Sequence, residues 1–126
     1  MTASLLGFAA VAFGAFGAHA LEPTLAALGT TDTFELAVRY QFYHALALLA
    51  VGLWMRTQET KLLSWAAGSM VAGAVCFSGS LYVLAFTKTI TLWWVTPLGG
   101  LFLLTGWVLL GVAAWAYARH PVSPKK

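Results

Sequence analysis

The sequence predicts an all-α fold: an integral membrane four-helix bundle with both termini in the cytoplasm. Hydrophobic residues make up 60% of the 126-residue chain and charged residues only 9%, whereas ordinary soluble domains are about 25% charged. The mean hydropathy of +0.81 is also too high for a water-soluble fold. The length suits one domain, which we place at residues 1–118, followed by a basic cytoplasmic tail at 119–126.

Four apolar stretches are each long enough to cross a membrane. They lie at about 3–21, 34–55, 62–87 and 93–118, and a hydrocarbon core about 30 Å thick requires about 20 residues per helix. Ala18-His19-Ala20 fits the cleavage pattern of a signal peptide, but no Lys or Arg precedes the first apolar run. We therefore expect the first stretch to remain as a helix.

The longest connection, EPTLAALGTTDTF at 22–34, is either a loop or a short interfacial helix. Asp32 followed by Glu35 resembles a capping box and predicts that the second spanning helix begins near Thr33. Glu35 and Arg39 have the favourable i, i+4 order for an ion pair. We expect that pair to be solvated at the surface.

The basic residues predict the orientation in the membrane. Two of them, Arg39 and Lys88, lie on one side of the predicted spans. The other five lie on the opposite side: Arg56, Lys61, Arg119, Lys125 and Lys126. Because cytoplasmic segments carry the excess of Lys and Arg, both termini should face the cytoplasm.

Small residues recur on the predicted helices and are typical of close helix packing in lipid. The candidate packing residues are Gly14, Gly17, Gly68, Ala72, Cys76, Gly79, Gly99 and Gly100. Stripes at four-residue intervals in the first and third spans predict that these two helices are the closest neighbours. Whether such faces also contact a second copy is left open by the sequence. Cys76 is the single cysteine, so it cannot form an internal disulfide.

Polar residues inside the spans form the candidate functional cluster. They are His19, Tyr40, Gln41, His44, Ser78, Ser80 and Tyr82. Counting 1.5 Å per residue along antiparallel spans places all of them in the outer leaflet. Since polar groups in lipid are costly unless paired, we expect these side chains to face the bundle interior. The small residues before His19 should let it reach partners on neighbouring helices.

Four motifs in order give the chain a resemblance to a known family. They are GAFGAHAL (14–21), YQFYHALALL (40–49), CFSGSLYVL (76–84), and TPLGG (96–100) with TGW (105–107). The chain resembles domain-of-unknown-function family 423, which includes the YgdD-like bacterial proteins and eukaryotic transmembrane protein 256. Two positions depart from the pattern expected of the family: Ala20 stands where we expect glycine, and Phe42 stands where we expect methionine. The resemblance implies a multi-pass protein of the bacterial inner membrane and transfers no catalytic residue.

Two interpretations of the polar cluster remain open from the sequence. The cluster either locks the helices together through hydrogen bonds or lines an outer-leaflet pocket for a small ligand, a lipid headgroup or a quinone-like ring. We expect no catalytic residue, because no serine has a recognisable base and orienting group. We also expect no metal or cofactor, because two histidines do not make a closed zinc site.

The leading functional hypothesis is a non-enzymatic accessory protein that assembles with itself or with a larger membrane complex. The alternative hypothesis is a ligand-binding, lipid-binding or transport protein that uses the outer-leaflet cluster. Nucleic-acid binding is not expected, because the basic residues occur singly or in pairs and form no stripe.

Overall fold

A computed structural model describes residues 1–58, 60–89 and 93–119, and all regular secondary structure in these ranges is helical. The helices are α1 (Thr2–Ala18), α2 (Glu22–Leu28), α3 (Thr31–Trp54), α4 (Lys61–Thr87) and α5 (Val95–Arg119). Most of the expected basic tail, including Lys125 and Lys126, lies outside the described residues.

Three of these helices, α3, α4 and α5, are each long and apolar enough to cross a membrane. Helices α1 and α2 meet the same criterion only together, and they are bent by 74° relative to each other. The described residues therefore contain three candidate spans, or four if the bent pair counts as one.

Helix α2 occupies the connection that the sequence left as either a loop or a short helix. Pro23 lies in its first turn, and Gly29 ends it in the left-handed conformation with φ of +66°, which costs glycine little because it has no Cβ. Leu25 is 1% exposed and packs in one cluster with Phe34 and Ala85. This contact holds α2 across the adjoining ends of α3 and α4.

The predicted capping box at the start of α3 is wrong. The helix begins at Thr31, Asp32 already lies within its first turn, and Thr30 at the N-cap makes no side-chain capping bond. The Thr30 hydroxyl instead donates to the carbonyl oxygen of Ala85 at 2.7 Å, so it links α3 to α4. The expected surface pair is present: Arg39 and Glu35 approach to 3.4 Å.

Helix α4 packs most extensively against α5, and α3 lies between α1 and α4. The prediction that α1 and α4 are the closest neighbours is therefore wrong. The physical reason is that α4 and α5 approach closely at Gly73 and Gly106, which are not among the small residues at four-residue intervals used for the prediction. An added Cβ would lie 2.6 Å from Leu103 at Gly73 and 2.5 Å from Met70 at Gly106, so both glycines are needed for the close approach of α4 and α5.

The helix ends fall into two groups at opposite ends of the protein. Met1 and Leu53 line one surface hollow, and the rings of Trp54 and Tyr117 lie 6.1 Å apart. The start of α1, the end of α3, the start of α4 and the end of α5 therefore share one end. We call it the basic end, because it carries Arg56, Lys61 and Arg119. Helix α2 marks the opposite, α2 end.

Candidate functional site

Gln41 joins three helices near the middle of the protein. Its Nε2 donates to the carbonyl oxygen of Leu6 on α1 at 2.9 Å. Its Oε1 accepts the hydroxyl of Tyr82 on α4 at 3.0 Å. Gln41 is only 6% exposed, so both bonds lie away from solvent and lipid and stabilise the contact of α3 with α1 and α4.

His44, one turn further along α3, bonds to α5. Its Nδ1 lies 2.8 Å from the carbonyl oxygen of Tyr40, and the indole Nε1 of Trp107 donates to its Nε2 at 3.2 Å. A carbonyl oxygen only accepts and an indole N–H only donates. We therefore assign the His44 proton to Nδ1 from this network, which makes the ring neutral with both nitrogens bonded.

A third polar contact joins α4 and α5 nearer the α2 end. The hydroxyls of Ser80 and Thr96 lie 2.7 Å apart, and Ser80 also donates to the carbonyl oxygen of Phe77 at 2.9 Å. Ser78 is 1% exposed, and its Oγ has no hydrogen-bond partner among the described residues. Such a group is costly to bury unless ordered water or another small molecule satisfies it.

The expectation that the whole cluster lies in one leaflet stays a prediction, and His44 lies deeper along its helix than that expectation assumed. It is thirteen residues from Thr31, about 20 Å along the helix. Its partner Trp107 is twelve residues from Val95, about 18 Å along α5. The pair therefore lies near the midpoint of both helices.

The expectation that His19 reaches interior partners is wrong. His19 is exposed at the end of α1. Its side chain makes no hydrogen bond to the other described residues. The chain ends α1 at Ala18 and turns sharply toward α2, so His19 stays at the surface. Tyr40 and Tyr43 are also exposed, at 36% and 56%, although the Tyr40 ring packs 4.6 Å from that of Phe77.

Four of the expected packing glycines lie against a neighbouring helix. An added Cβ would meet Val38 at Gly14, Phe34 at Gly17, and Phe77 at Gly99 and Gly100. At Gly99 it would strike the Phe77 backbone, which cannot rotate away. This site therefore admits glycine alone without a shift of the helices.

Gly68 and Gly79 do not pack against a neighbouring helix. No atom lies within 4 Å of a Cβ added at either position, and Ala72 and Cys76 on the same stripe are half-buried. A stripe marks a possible contact face but does not say which helix covers it. The packing residues that sequence reasoning missed, Gly73 and Gly106, share no simple four-residue stripe.

Gly68 and Ala72 instead line a surface groove of about 520 Å³ between α4 and α5. We call it the α4–α5 groove. Its other lining residues are Ser64, Trp65, Ser69, Phe102, Thr105 and Leu109.

The polar groups of this groove are bonded to backbone within the protein. Ser69 donates to the carbonyl oxygen of Phe102 at 2.8 Å, and Thr105 donates to that of Leu101 at 2.8 Å. No ionisable side chain lines the groove, so it suits an apolar surface rather than a charged substrate. Within residues 1–58, 60–89 and 93–119, no group of three His, Cys, Asp or Glu side chains could hold a metal ion.

Comparison with known proteins places the chain among uncharacterised membrane proteins. Residues 13–100 match the family described as "Protein of unknown function (DUF423)". The UPF0382 inner membrane protein YgdD of Escherichia coli K12 is 39% identical over 96% of this chain and 92% of its own length. A UPF0382 membrane protein of Staphylococcus epidermidis is 42% identical over 86% of this chain and 88% of its own. No solved structure matches.

Proposed function

This chain belongs to the DUF423 family of multi-pass inner-membrane proteins of unknown function. We propose that it is a non-enzymatic assembly protein. In this proposal the α4–α5 groove receives a helix of a second copy or of a larger membrane complex. The observation that carries the proposal is that Gly68 lines this groove with an open Cβ position, whereas Gly73, Gly99 and Gly106 are covered by the neighbouring helix.

The chemistry of the groove supports this role. Helices in lipid associate through close packing of small residues, because the lipid chains are as apolar as the side chains and provide no hydrophobic driving force. Gly68 and Ala72 let another backbone approach, and the groove walls offer Phe102 and Leu109 for contact. Glycines that are already covered cannot serve this purpose.

The interior polar groups support a role without catalysis. Gln41 and His44 each use both ends of their side chains in bonds to other helices or to backbone. A general base needs a free lone pair within reach of a substrate proton. In the neutral form assigned here, His44 has none.

The experiment is a measurement of self-association in liposomes by single-molecule photobleaching across protein-to-lipid ratios. We expect the native protein to dimerise and Gly68→Leu to weaken the dimer at least about tenfold, which corresponds to about 1.4 kcal/mol. Gly111→Leu is the matched control, because Gly111 is equally open but lies outside the groove. If all three proteins are monomeric and co-purify with no other membrane protein, the assembly role is excluded.

We also propose that the α1–α2 pair and the three long helices form a four-span bundle with both termini in the cytoplasm. The five-to-two asymmetry of Lys and Arg across the spans supports this orientation. A reporter active only outside the cytoplasm should be silent when fused after residue 126 and active when inserted directly after Gly29, the exposed residue that ends α2. The opposite pattern would reverse the orientation.

One observation favours a second candidate, a ligand-binding role. Ser78 Oγ is buried without a partner among the described residues, and a bound small molecule could satisfy it. Native mass spectrometry of gently solubilised protein should then detect a stoichiometric non-lipid ligand that Ser78→Ala removes. Detection of phospholipid alone would leave the assembly role as the better account.

A further inference from the structure

We propose that the basic end binds one anionic phospholipid, with part of an acyl chain in a hollow between α3, the start of α4 and α5, and the phosphate against Arg56, Lys61 and Arg119. This site lies at the opposite end from α2 and shares no lining residue with the α4–α5 groove. It therefore stands independently of the assembly role.

The hollow has the polarity of a lipid site. Its volume is about 230 Å³, below the range of about 300–1,000 Å³ typical of pockets that enclose a whole ligand, so it can take only part of a lipid. Its walls are mainly apolar, and its polar members, Gln58 and Thr60, come from the connection between α3 and α4. The lining residues are Trp54, Gln58, Thr60, Leu62, Leu63, Ala113, Ala116 and Tyr117.

Cations from three segments lie at the same end of the protein as this hollow and close to its lining residues in sequence. Lys61 directly follows Thr60, and Arg56 and Arg119 are each two residues from a lining residue. Helix α4 also begins here, and the first N–H groups of a helix lack intrahelical partners and favour negative charge. The Thr60 hydroxyl accepts from Leu63 N at 3.3 Å, which leaves the N–H groups of Lys61 and Leu62 at the helix start for an anion.

The aromatic side chains at this end are of the kind enriched at the membrane interface. The guanidinium of Arg119 lies 4.2 Å from the centre of the Trp115 ring, a cation–π contact. The rings of Trp54 and Tyr117, which line the hollow, meet edge to face. Because Trp and Tyr are enriched at the level of the lipid headgroups, we expect the cations of this end to lie at the depth of a phosphate.

The charges of the two ends differ in sign, which argues for an anionic occupant. Among the described residues, the basic end carries three basic side chains and no acidic one, while Glu59, between Gln58 and Thr60 in the sequence, lies outside them. The α2 end has two basic residues against three acidic ones: Glu22, Asp32 and Glu35. Charge complementarity therefore selects a phosphate-bearing lipid with net negative charge over a zwitterionic lipid at this end.

The test uses the full chain in nanodiscs that contain equal amounts of phosphatidylglycerol and phosphatidylcholine, followed by native mass spectrometry of the lipids retained. We expect one retained phosphatidylglycerol. Arg56→Gln/Lys61→Gln/Arg119→Gln should reduce its preference over phosphatidylcholine at least about tenfold, since each nearby cation contributes about fivefold. Arg39→Gln/Lys88→Gln, which removes two cations from the α2 end, should retain the preference. Equal retention of both lipids by the native protein, or equal loss in both variants, would overturn the site.

A second pair of variants tests the hollow without a change of charge. Ala116→Phe should fill it and release the lipid, whereas Ala114→Phe, at an exposed position outside the hollow, should retain the lipid. Thermal unfolding of both proteins checks that they are folded. Excess inorganic phosphate should leave the retained phosphatidylglycerol in place. Its displacement by phosphate, or retention by Ala116→Phe, would contradict a site that also holds the acyl chain.

Discussion

Replacement of Gln41 by leucine tests whether its two interhelical bonds hold α1, α3 and α4 together. Leucine is close to glutamine in size, so the main loss is polar. The change removes the bond to the Leu6 carbonyl at 2.9 Å and the bond from the Tyr82 hydroxyl at 3.0 Å. Interhelical bonds in membranes average about 0.6 kcal/mol and reach about 1.7, and a stranded buried hydroxyl costs about 1–3 kcal/mol. We expect the free energy of unfolding to fall by about 2–3 kcal/mol.

A double-mutant cycle separates this bond from a general packing effect. Tyr82→Phe alone should cost about 0.6–1.7 kcal/mol. In Gln41→Leu/Tyr82→Phe no hydroxyl is stranded, so the combined loss should be smaller than the sum of the two single losses by at least about 0.5 kcal/mol.

Unfolding by SDS in mixed micelles, followed by circular dichroism, gives the free energies. Tyr43→Phe serves as the control for Tyr82→Phe, because Tyr43 is 56% exposed and its loss should stay within about 0.5 kcal/mol. Strict additivity of the Gln41 and Tyr82 changes, or a loss at Tyr43 equal to that at Tyr82, would refute the reasoning.

Three further changes follow from the packing, each measured by the same unfolding assay. His44→Ala should lower the free energy of unfolding by about 1–2 kcal/mol. His44→Gln should recover part of this loss, because an amide still donates and accepts hydrogen bonds. An equal loss in the two variants would exclude the hydrogen bonds of His44 as the cause. Gly99→Ala should lower the free energy of unfolding by about 1–3 kcal/mol, because the added methyl group overpacks the helix contact. Gly111→Ala, at a position with open space around it, should be neutral or stabilising. Similar values for the two variants would contradict the close contact at Gly99. Thr30→Val removes the bond to the Ala85 carbonyl at 2.7 Å and should cost about 0.5–1.5 kcal/mol, whereas native stability in this variant would show that the bond does not hold the end of α3 on α4.

The burial of the polar side chains is predicted by the sequence for some residues and decided only by the tertiary structure for others. The expense of a polar group in lipid predicts an interior position for Gln41 and His44, and both are buried. The same rule predicted an interior His19, which is exposed. The rule applies within a spanning helix, but His19 lies just beyond the end of α1. Only the structure shows where that helix stops and where the chain turns.

The sequence by itself determined that the protein is helical and membrane-embedded, because length and hydropathy are properties of each segment alone. The tertiary structure decided which faces meet. Gly68 and Gly73 are both glycines on one apolar helix, yet Gly73 packs on Leu103 and Gly68 stays open. Likewise, nothing local to His44 or Trp107 joins them across two helices. The physical reason is that a segment's own pattern defines its faces, whereas the rotation and neighbour of each helix depend on the packing of all the others.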